Sequence, residues 1–523
     1  MMKNLKLKRL MAAGLAGVIA AGMIGCSGGG GDKKNQGGSE DPKMDVEISY
    51  WNSGLGTDWL DAMIEAFKDE HPEYHVYYKA TADSDSATAA YGMEDIDTVD
   101  LYLCGMEYDH SKMEPLTDVL DAAAYGDSKT VREKFNNTYL KMATASDGVT
   151  YALTYGGGVL SIVYNKKMFE DAGILELPRT TDELVAVCDT LYSNNMVPLA
   201  HFNPIGYWDY ISEAWFAQCD GIDYYLNNFY ACTDENGNSP SKEVFTKKDG
   251  RYETIKVLEK IVTPDYTMAG SNSSDHVSVQ TQFLNGSSAM MADGSWLGNE
   301  MKSTGQVDNF GMMRLPVISA ITKRLETVKS DSLLRVLISA IDSVTDGEKQ
   351  LADYQSGDGY VVDGTQISAA DWEAVADARN TCAINYSGEN AYIPNYSENK
   401  AGAKEFLKFL YSDKGSKVYA DKLHMTLPMT LSQGELDTTA WNGFELDQLN
   451  QLKTAVNYAC FYNAGKHEIF IGGGASAFVG GLDSLRLMCS KNAADRVGSE
   501  EVWKSMVQKV EDNYEMSWLA NIK

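Results

Sequence analysis

The chain has 523 residues, 44% of them hydrophobic and 23% charged, which excludes a disordered polymer and implies two or three packed units rather than one core. Its 45 Lys and Arg face 74 Asp and Glu, a formal charge of −29. Such a surface repels phosphate backbones and anionic lipid headgroups, so nucleic acid is not an expected partner.

The chain begins with a basic region, Lys3, Lys6, Lys8 and Arg9, followed by the apolar run "LMAAGLAGVIAAGMIG", Leu10 to Gly25. That run is short for a spanning helix and has the layout of a secretory signal. It ends in "MIGCSGGG", which resembles the bacterial lipobox, with small Gly25 before Cys26. The resemblance implies cleavage before Cys26 and a lipid on its thiol; an ordinary signal with an incidental cysteine is the alternative. Removing residues 1–25 takes away four cations and no acid, which lowers the charge from −29 to −33. The next stretch, Ser27 to Asp41, is too rich in Gly and polar residues to fold and reads as a tether spanning ~20 Å on average. The remaining cysteines, Cys104, Cys188, Cys219, Cys232, Cys382, Cys460 and Cys489, are odd in number and contain no Cys-x-x-Cys. They suggest buried small hydrophobes, not a disulfide scaffold or a zinc site.

From Met44 the pattern alternates. Val46 to Trp51 reads as a strand. A helix follows in which Trp59, Met63, Ile64 and Phe67 share a face and Asp58 is the expected cap. His75 to Lys79 and Val99 to Cys104 are the next strands. Strands alternating with helices imply an α/β chain whose ligands bind at the carboxyl ends of the strands, here at Trp51 and Asn52. Two β-rich runs, Tyr151 to Tyr155 and Val159 to Tyr164, flank Gly156-Gly157-Gly158. A strand, and not a helix N-terminus, follows these glycines, which argues against a phosphate cradle. Thr180 with Glu183 forms a capping box for a helix reaching about Ser193. The aromatic stretch Tyr207 to Phe216 and a helix near His276 to Leu284 precede the strand Ala289 to Ala292. Between Ile318 and Ala383 lies a polar, helix-prone segment that reads as an insertion. "DENGNSPSKE", from Asp234, has its glycine misplaced for a calcium loop, and the seven histidines show no zinc spacing. No metal and no cofactor is expected.

Three phrases in this order resemble bacterial extracellular solute-binding proteins of family 1: "YNKKMFEDAGILELPRTTDEL", "FLNGSSAMMADGSW" and "AYIPNYSENKAGAKEFLKFLYSDKGSKVYA". "SYWNSGLG" and "SAFVGGLDSLRL" fall where the related maltose-binding proteins carry similar segments. The resemblance covers most of the chain from about Met44. It departs from the shorter family pattern across 318–383, and at Gly158, where the maltose-binding proteins carry an acidic residue. It implies a periplasmic-binding-protein type 2 fold, two α/β lobes joined by crossing strands with a ligand cleft between them. The expected division is signal 1–25, lipidated Cys and tether 26–43, first lobe 44–160 and 384–430, second lobe 161–317 and 431–523, and a helical insertion 318–383. The implied function is a monomeric, non-enzymatic receptor, lipid-anchored outside the cell membrane, that closes on a carbohydrate and delivers it to the membrane subunits of an ATP-driven importer. A tethered glycan sensor feeding a receptor kinase shares the same cleft, and a surface glycosidase is the enzyme alternative.

A sugar offers a rim of hydroxyls and apolar ring faces, so its receptor needs flat rings and planar polar groups. The candidates are Trp296 and Asp293 after the Ala289–Ala292 strand, Trp51 and Asn52 after the first strand, Asp58 at the first helix, and Glu107 with Tyr108 after the third strand. Tyr207 and Trp208 complete the set, where the maltose-binding relatives place stacking aromatics. Trp215, seven residues after Trp208, reads as core.

Overall fold

The computed structural model describes residues 44–52, 54–105, 110–145, 147–156, 158–202, 206–384, 389–459 and 485–514. The signal, Cys26, the tether, Glu107, Tyr108 and Cys460 lie outside the described residues.

Strand β1 (Asp45–Trp51) buries Val46, Ile48 and Tyr50 completely. Helix α1 (Asp58–Glu70) covers it with Trp59, Leu60, Met63, Ile64 and Phe67, one apolar stripe at helical spacing. Each of these side chains contributes about 1.5–3 kcal/mol by leaving water, as an upper bound. Asp58 is not the cap: Thr57 occupies that position without a side-chain bond, and Asp58 is the first helical residue, exposed to solvent. The acid still complements the helix dipole from the first turn. Strands β2 (His75–Thr81) and β3 (Leu101–Cys104) pair parallel on either side of β1, with Val46 opposite Val76 and Ile48 opposite Leu101. Next come β4 (Ala152–Thr154) and β5 (Val159–Asn165).

Helix α2 (Thr181–Ser193) starts as the capping signal implies: Thr180 Oγ1 accepts the Glu183 N–H at 3.2 Å, although Glu183 returns its bond to the N–H of Arg179. Strand β6 (Leu199–Ala200), α3 (Trp208–Asp220), α4 (His276–Leu284), β7 (Met290–Gly294), α5 (Leu297–Met301) and β8 (Phe310–Met313) follow.

The 318–383 segment is not purely helical. Between α6 (Asp331–Thr345) and α7 (Ala369–Arg379) it forms a three-stranded antiparallel sheet of β9 (Gln355–Ser356), β10 (Gly359–Val362) and β11 (Thr365–Ser368). Tyr360 packs on Trp372 of α7 at 4.5 Å, so the turn-rich strands acquire a core by leaning on a helix. Within the segment, Asp371 of α7 ties down the loop before α6 by accepting the N–H groups of Glu326, Thr327 and Val328.

The chain closes with β12 (Thr381–Ile384), β13 (Asn390–Tyr392), α8 (Lys400–Leu410), α9 (Asp413–Leu423), α10 (Gly443–Thr454) and β14 (Asn457–Ala459), before a last helix at Ser499–Asn513.

Two principal sheets result. The first has the order β2-β1-β3-β13-β4; the second has the order β14-β12-β5-β7-β6, with β8 beside β5. β13 runs antiparallel to β3 and β4, so Asn390 meets Cys104 and Thr154 at the carboxyl edge of that sheet. In the second sheet Leu160 lies opposite Gly294, and Val159 opposite Ile384, so the start of β5 shares an edge with the carboxyl ends of β7 and β12. The chain crosses between these edges twice, from Thr154 to Val159 and from Ile384 to Asn390. The first crossing limits the edges to a separation of about 17 Å, and the carboxyl ends of both sheets face one another. Two α/β lobes bordering a cleft are the outcome.

Candidate functional site

The crossings explain Gly156. A Cβ on Gly156 would stand 2.7 Å from the Cβ of Glu389, so the two crossing segments pass too closely for a side chain. Glu389 itself is 5% exposed, and its carbonyl accepts the Tyr155 N–H at 3.0 Å and Thr154 Oγ1 at 2.8 Å. Sequence reasoning passed over this acid. It sits in a short crossing without periodicity, and the signal that could have marked it is its place just before the returning strand "NAYIP".

On the first lobe, Trp51 closes β1 and is partly buried. The hydroxyl of Tyr155 points to the same edge, donating to Leu103 O at 3.2 Å, with Trp51 O at 3.4 Å, and Trp59 stacks on the Tyr155 ring at 5.8 Å. Asn52 also has a local structural task. Its Oδ1 accepts the Gly56 N–H at 2.9 Å and its N–H bonds Thr81 O at 2.8 Å, so its polar atoms brace the turn after β1.

On the second lobe, α3 and α5 both begin at the carboxyl edge of their sheet, which brings Tyr207 and Trp296 together. Their rings meet edge to face at 5.2 Å. Tyr207 also touches Phe202, two residues past β6, and the ring of His276 at 5.7 Å. Trp296 does not stand free in the cleft: it is 8% exposed. Its six-membered ring lies across Gly294, where a Cβ would come within 2.3–2.4 Å of three ring carbons. The glycine before Ser295-Trp296 is therefore a seat for the indole.

Asp293 lies beneath this pair and is completely buried. Burial pushes its carboxyl well above the usual range, against the N–H of Gly294, which donates to Oδ1 at 2.7 Å. It braces the strand end, with Gln280 Nε2 at 3.5 Å from its other oxygen. Trp208 is a core residue at 1% exposure, tilted over Trp215 at 6.2 Å, and it does not reach the cleft surface. Its neighbour Asp209 is half-buried at the first turn of α3, and desolvation pushes its carboxyl up to about 7. The phenol of Tyr207 is raised by burial first, then by the negative charge of Asp293, Glu300, Asp209 and Glu389. The rings of Phe202, Tyr207, His276 and Trp296 thus gather at this edge, with Asp293 buried at the end of β7 and Glu300 on α5. That mixture of rings and acids suits hydroxyl-rich, ring-faced molecules.

Elsewhere, Asp234 spends its carboxylate on the N–H groups of Asn236 and Asn238 at 2.9 Å, which makes a braced turn of the calcium-like loop. Among the described residues no group of three or more His, Cys, Asp or Glu could hold a metal ion, and no helix is long and apolar enough to cross a membrane. The Cys489 thiol is pushed up by burial and donates to Oδ1 of Asn272 at 3.3 Å, while His201 bonds that same oxygen at 2.9 Å. The imidazole is bonded to the amide instead of the sulfur, which is the wrong order for an activated nucleophile.

Comparison with solved structures finds the same fold in sugar receptors. A chitin oligosaccharide binding protein is 15% identical and covers 90% of this chain and 98% of its own, with a TM-score of 0.57. Maltose-bound MalE3 of T. maritima gives 14%, 90%, 99% and 0.55. The mannobiose complex of BlMnBP1 from Bifidobacterium animalis subsp. lactis gives 19%, 90%, 95% and 0.53. A chain of Brucella abortus, described no further than as a binding protein, is 25% identical over 183 residues, 35% of this chain. The match spans only about two fifths (41%) of the length of that curated relative. The sequence profile of bacterial extracellular solute-binding proteins matches residues 53–417, and the chain belongs to that family.

Proposed function

We propose that this chain is the carbohydrate receptor of an ATP-driven importer. In this reading the mature protein is a monomer held outside the cell membrane by a lipid on Cys26, with residues 26–43 as its leash. The two lobes, divided as 44–160 with 384–430 and 161–317 with 431–523, hinge about the crossing segments and shut around a sugar, and the shut form is handed to the permease. Ligand contacts to both lobes favour the closed state because they are complete only there.

The observation that carries the reading is the meeting of Tyr207 and Trp296 at the carboxyl edge of the second sheet, together with the partly buried Trp51 that closes β1 at the carboxyl edge of the first. Rings supply apolar surface for the C–H faces of a pyranose. Asp209 and Glu389 supply planar acceptors for hydroxyls, and Trp51 and Tyr207 are the foremost contact residues. Asp293 and Trp208 act from behind, and Asn52 holds the turn. The solved neighbours with galactopyranose, chitin oligosaccharide, maltose and mannobiose in their descriptions support the same class of ligand.

A thermal-shift screen of the mature chain tests this reading with neutral mono- and oligosaccharides in one arm and amino acids, short peptides and phosphate in the other. Stabilisation by at least one sugar is expected, rising with its concentration. Stabilisation only in the second arm, or in neither, refutes the carbohydrate assignment.

A further inference from the structure

A hydrogen bond joins the two lobes at a distance from their crossings. Nδ2 of Asn299, on α5, donates to the carbonyl oxygen of Gly54 at 2.7 Å. Gly54 belongs to the turn after β1, and β1 stands two strands away from the crossing strand β13, about 10 Å. α5 follows β7, the neighbour of the crossing strand β5. The contact therefore lies on the mouth side of the cleft, and any opening about the crossings pulls donor from acceptor.

Both partners are held in advance. The Gly56 N–H is fixed by Asn52 Oδ1, and the hydroxyl of Tyr50 donates to Gly56 O at 2.7 Å while receiving the indole N–H of Trp59 at 3.0 Å. Gly54 has a φ of +91°, and a Cβ there would stand 3.3 Å from Glu300 Oε1, so both conformation and proximity favour glycine. On the other side, the N–H groups of Asn299 and Glu300 both bond Trp296 O at 3.0 Å, and Glu300 Oε2 receives Gln280 Nε2 at 2.6 Å. The donor helix is thus anchored to the same tryptophan that the site presents.

We propose that Asn299 is a positioning residue for closure: through Gly54 O it stabilises the shut form of the cleft without touching the ligand. The proposal rests on the reading of the cleft as one that opens and shuts. A receptor whose competent form is only partly populated binds more weakly in proportion, so a contact of this kind raises affinity for every ligand alike. A neutral hydrogen bond of this kind changes the open–shut ratio by roughly fivefold.

The test uses the ligand-free mature chain, with dyes attached through Lys79→Cys on β2 and Gln282→Cys on α4, both exposed, while the described native cysteines are buried. Single-molecule energy transfer reads the distance between lobes. Asn299→Ala is expected to lower the ratio of short-distance to long-distance populations about fivefold. Asn299→Asp, which sets a carboxylate against a carbonyl, is expected to lower it further. Thermal melts identify a variant that fails to fold, and Asn299→Ser, too short to reach Gly54, then replaces it. Populations equal to wild type in the folded variants overturn the proposal. Since no sugar is present, a failed sugar screen leaves this result standing, and a successful screen with unchanged populations overturns this inference alone.

Discussion

Replacing Gly294 by alanine isolates the seat of Trp296. A Cβ at this position would lie 2.3–2.4 Å from three carbons of the indole, so the ring or the strand must give way. If the ring stays and its surroundings strain, overpacking costs typically about 1–3 kcal/mol. If it swings out instead, the loss of ~200 Å² of buried aromatic surface costs about 5 kcal/mol. The first route is cheaper, so a destabilisation of about 1–3 kcal/mol is expected. Against it, glycine-to-alanine in a strand interior ordinarily gains about 0.5–1 kcal/mol, and Gly294, the last paired residue of β7, is expected to gain no more than that without the ring, so the sign of the effect discriminates. Urea unfolding of Gly294→Ala, Trp296→Ala and the double variant forms a cycle. In the Trp296→Ala background the added methyl meets no ring, and its cost vanishes. A coupling energy above about 1 kcal/mol, with altered near-ultraviolet dichroism in Gly294→Ala, is the expected result. Additive effects, or a stabilised Gly294→Ala, refute the stacking argument.

Other perturbations follow from groups with clear surroundings. Glu213 is fully buried on α3, bonded by the Tyr230 hydroxyl at 3.1 Å, and desolvation pushes its carboxyl up to about 8. The folded chain then holds a proton that the unfolded chain releases near pH 4.5, so stability falls as pH rises from there to about 8, by about 3–5 kcal/mol over that range. Glu213→Gln flattens this slope in denaturant titrations at pH 5 and pH 8; parallel profiles for the two proteins contradict the assignment. Lys134, 1% exposed, places its ammonium against Asp127, at 3.4 Å from Asp413 and at 2.6 Å from Tyr411 O. Lys134→Met leaves buried carboxylates uncompensated and costs about 3–5 kcal/mol in urea unfolding; a loss below 1 kcal/mol shows the acids to be solvated. Trp208→Ala costs about 3–5 kcal/mol of stability as a core truncation, and a loss of sugar binding without a loss of stability would return Trp208 to the cleft surface.

Much of the fold is legible in the sequence because its periodicities are physical. The stripe of Trp59, Met63, Ile64 and Phe67, the capping Thr180 and the helix from His276 to Leu284 stand where spacing puts them. The first-turn residues are harder, since a polar residue before a helix can cap, complement the dipole or face a ligand with the same pattern, and Asp58 takes the second role. Trp208 and Trp215 are seven residues apart and share one helical face, so the spacing that makes one core makes the other core as well. Asn52 is invisible as a brace because its partner, Gly56, depends on the turn's three-dimensional path. The antiparallel strands of 355–368 are short and Gly-punctuated, and they gain order only from Trp372 on the following helix. Glu389 depends on two distant crossings running side by side, a relation that no local pattern encodes.

The most direct test of the account is a calorimetric titration of a neutral oligosaccharide selected by the thermal-shift screen into the wild-type chain and into Tyr207→Ala. Saturable binding to wild type, with a negative heat-capacity change from apolar burial and an affinity lowered tenfold or more in Tyr207→Ala, is the predicted result. Equal affinity in the two proteins, or no heat from any sugar with the wild type, would contradict a cleft that closes on a carbohydrate through the Tyr207 and Trp296 edge.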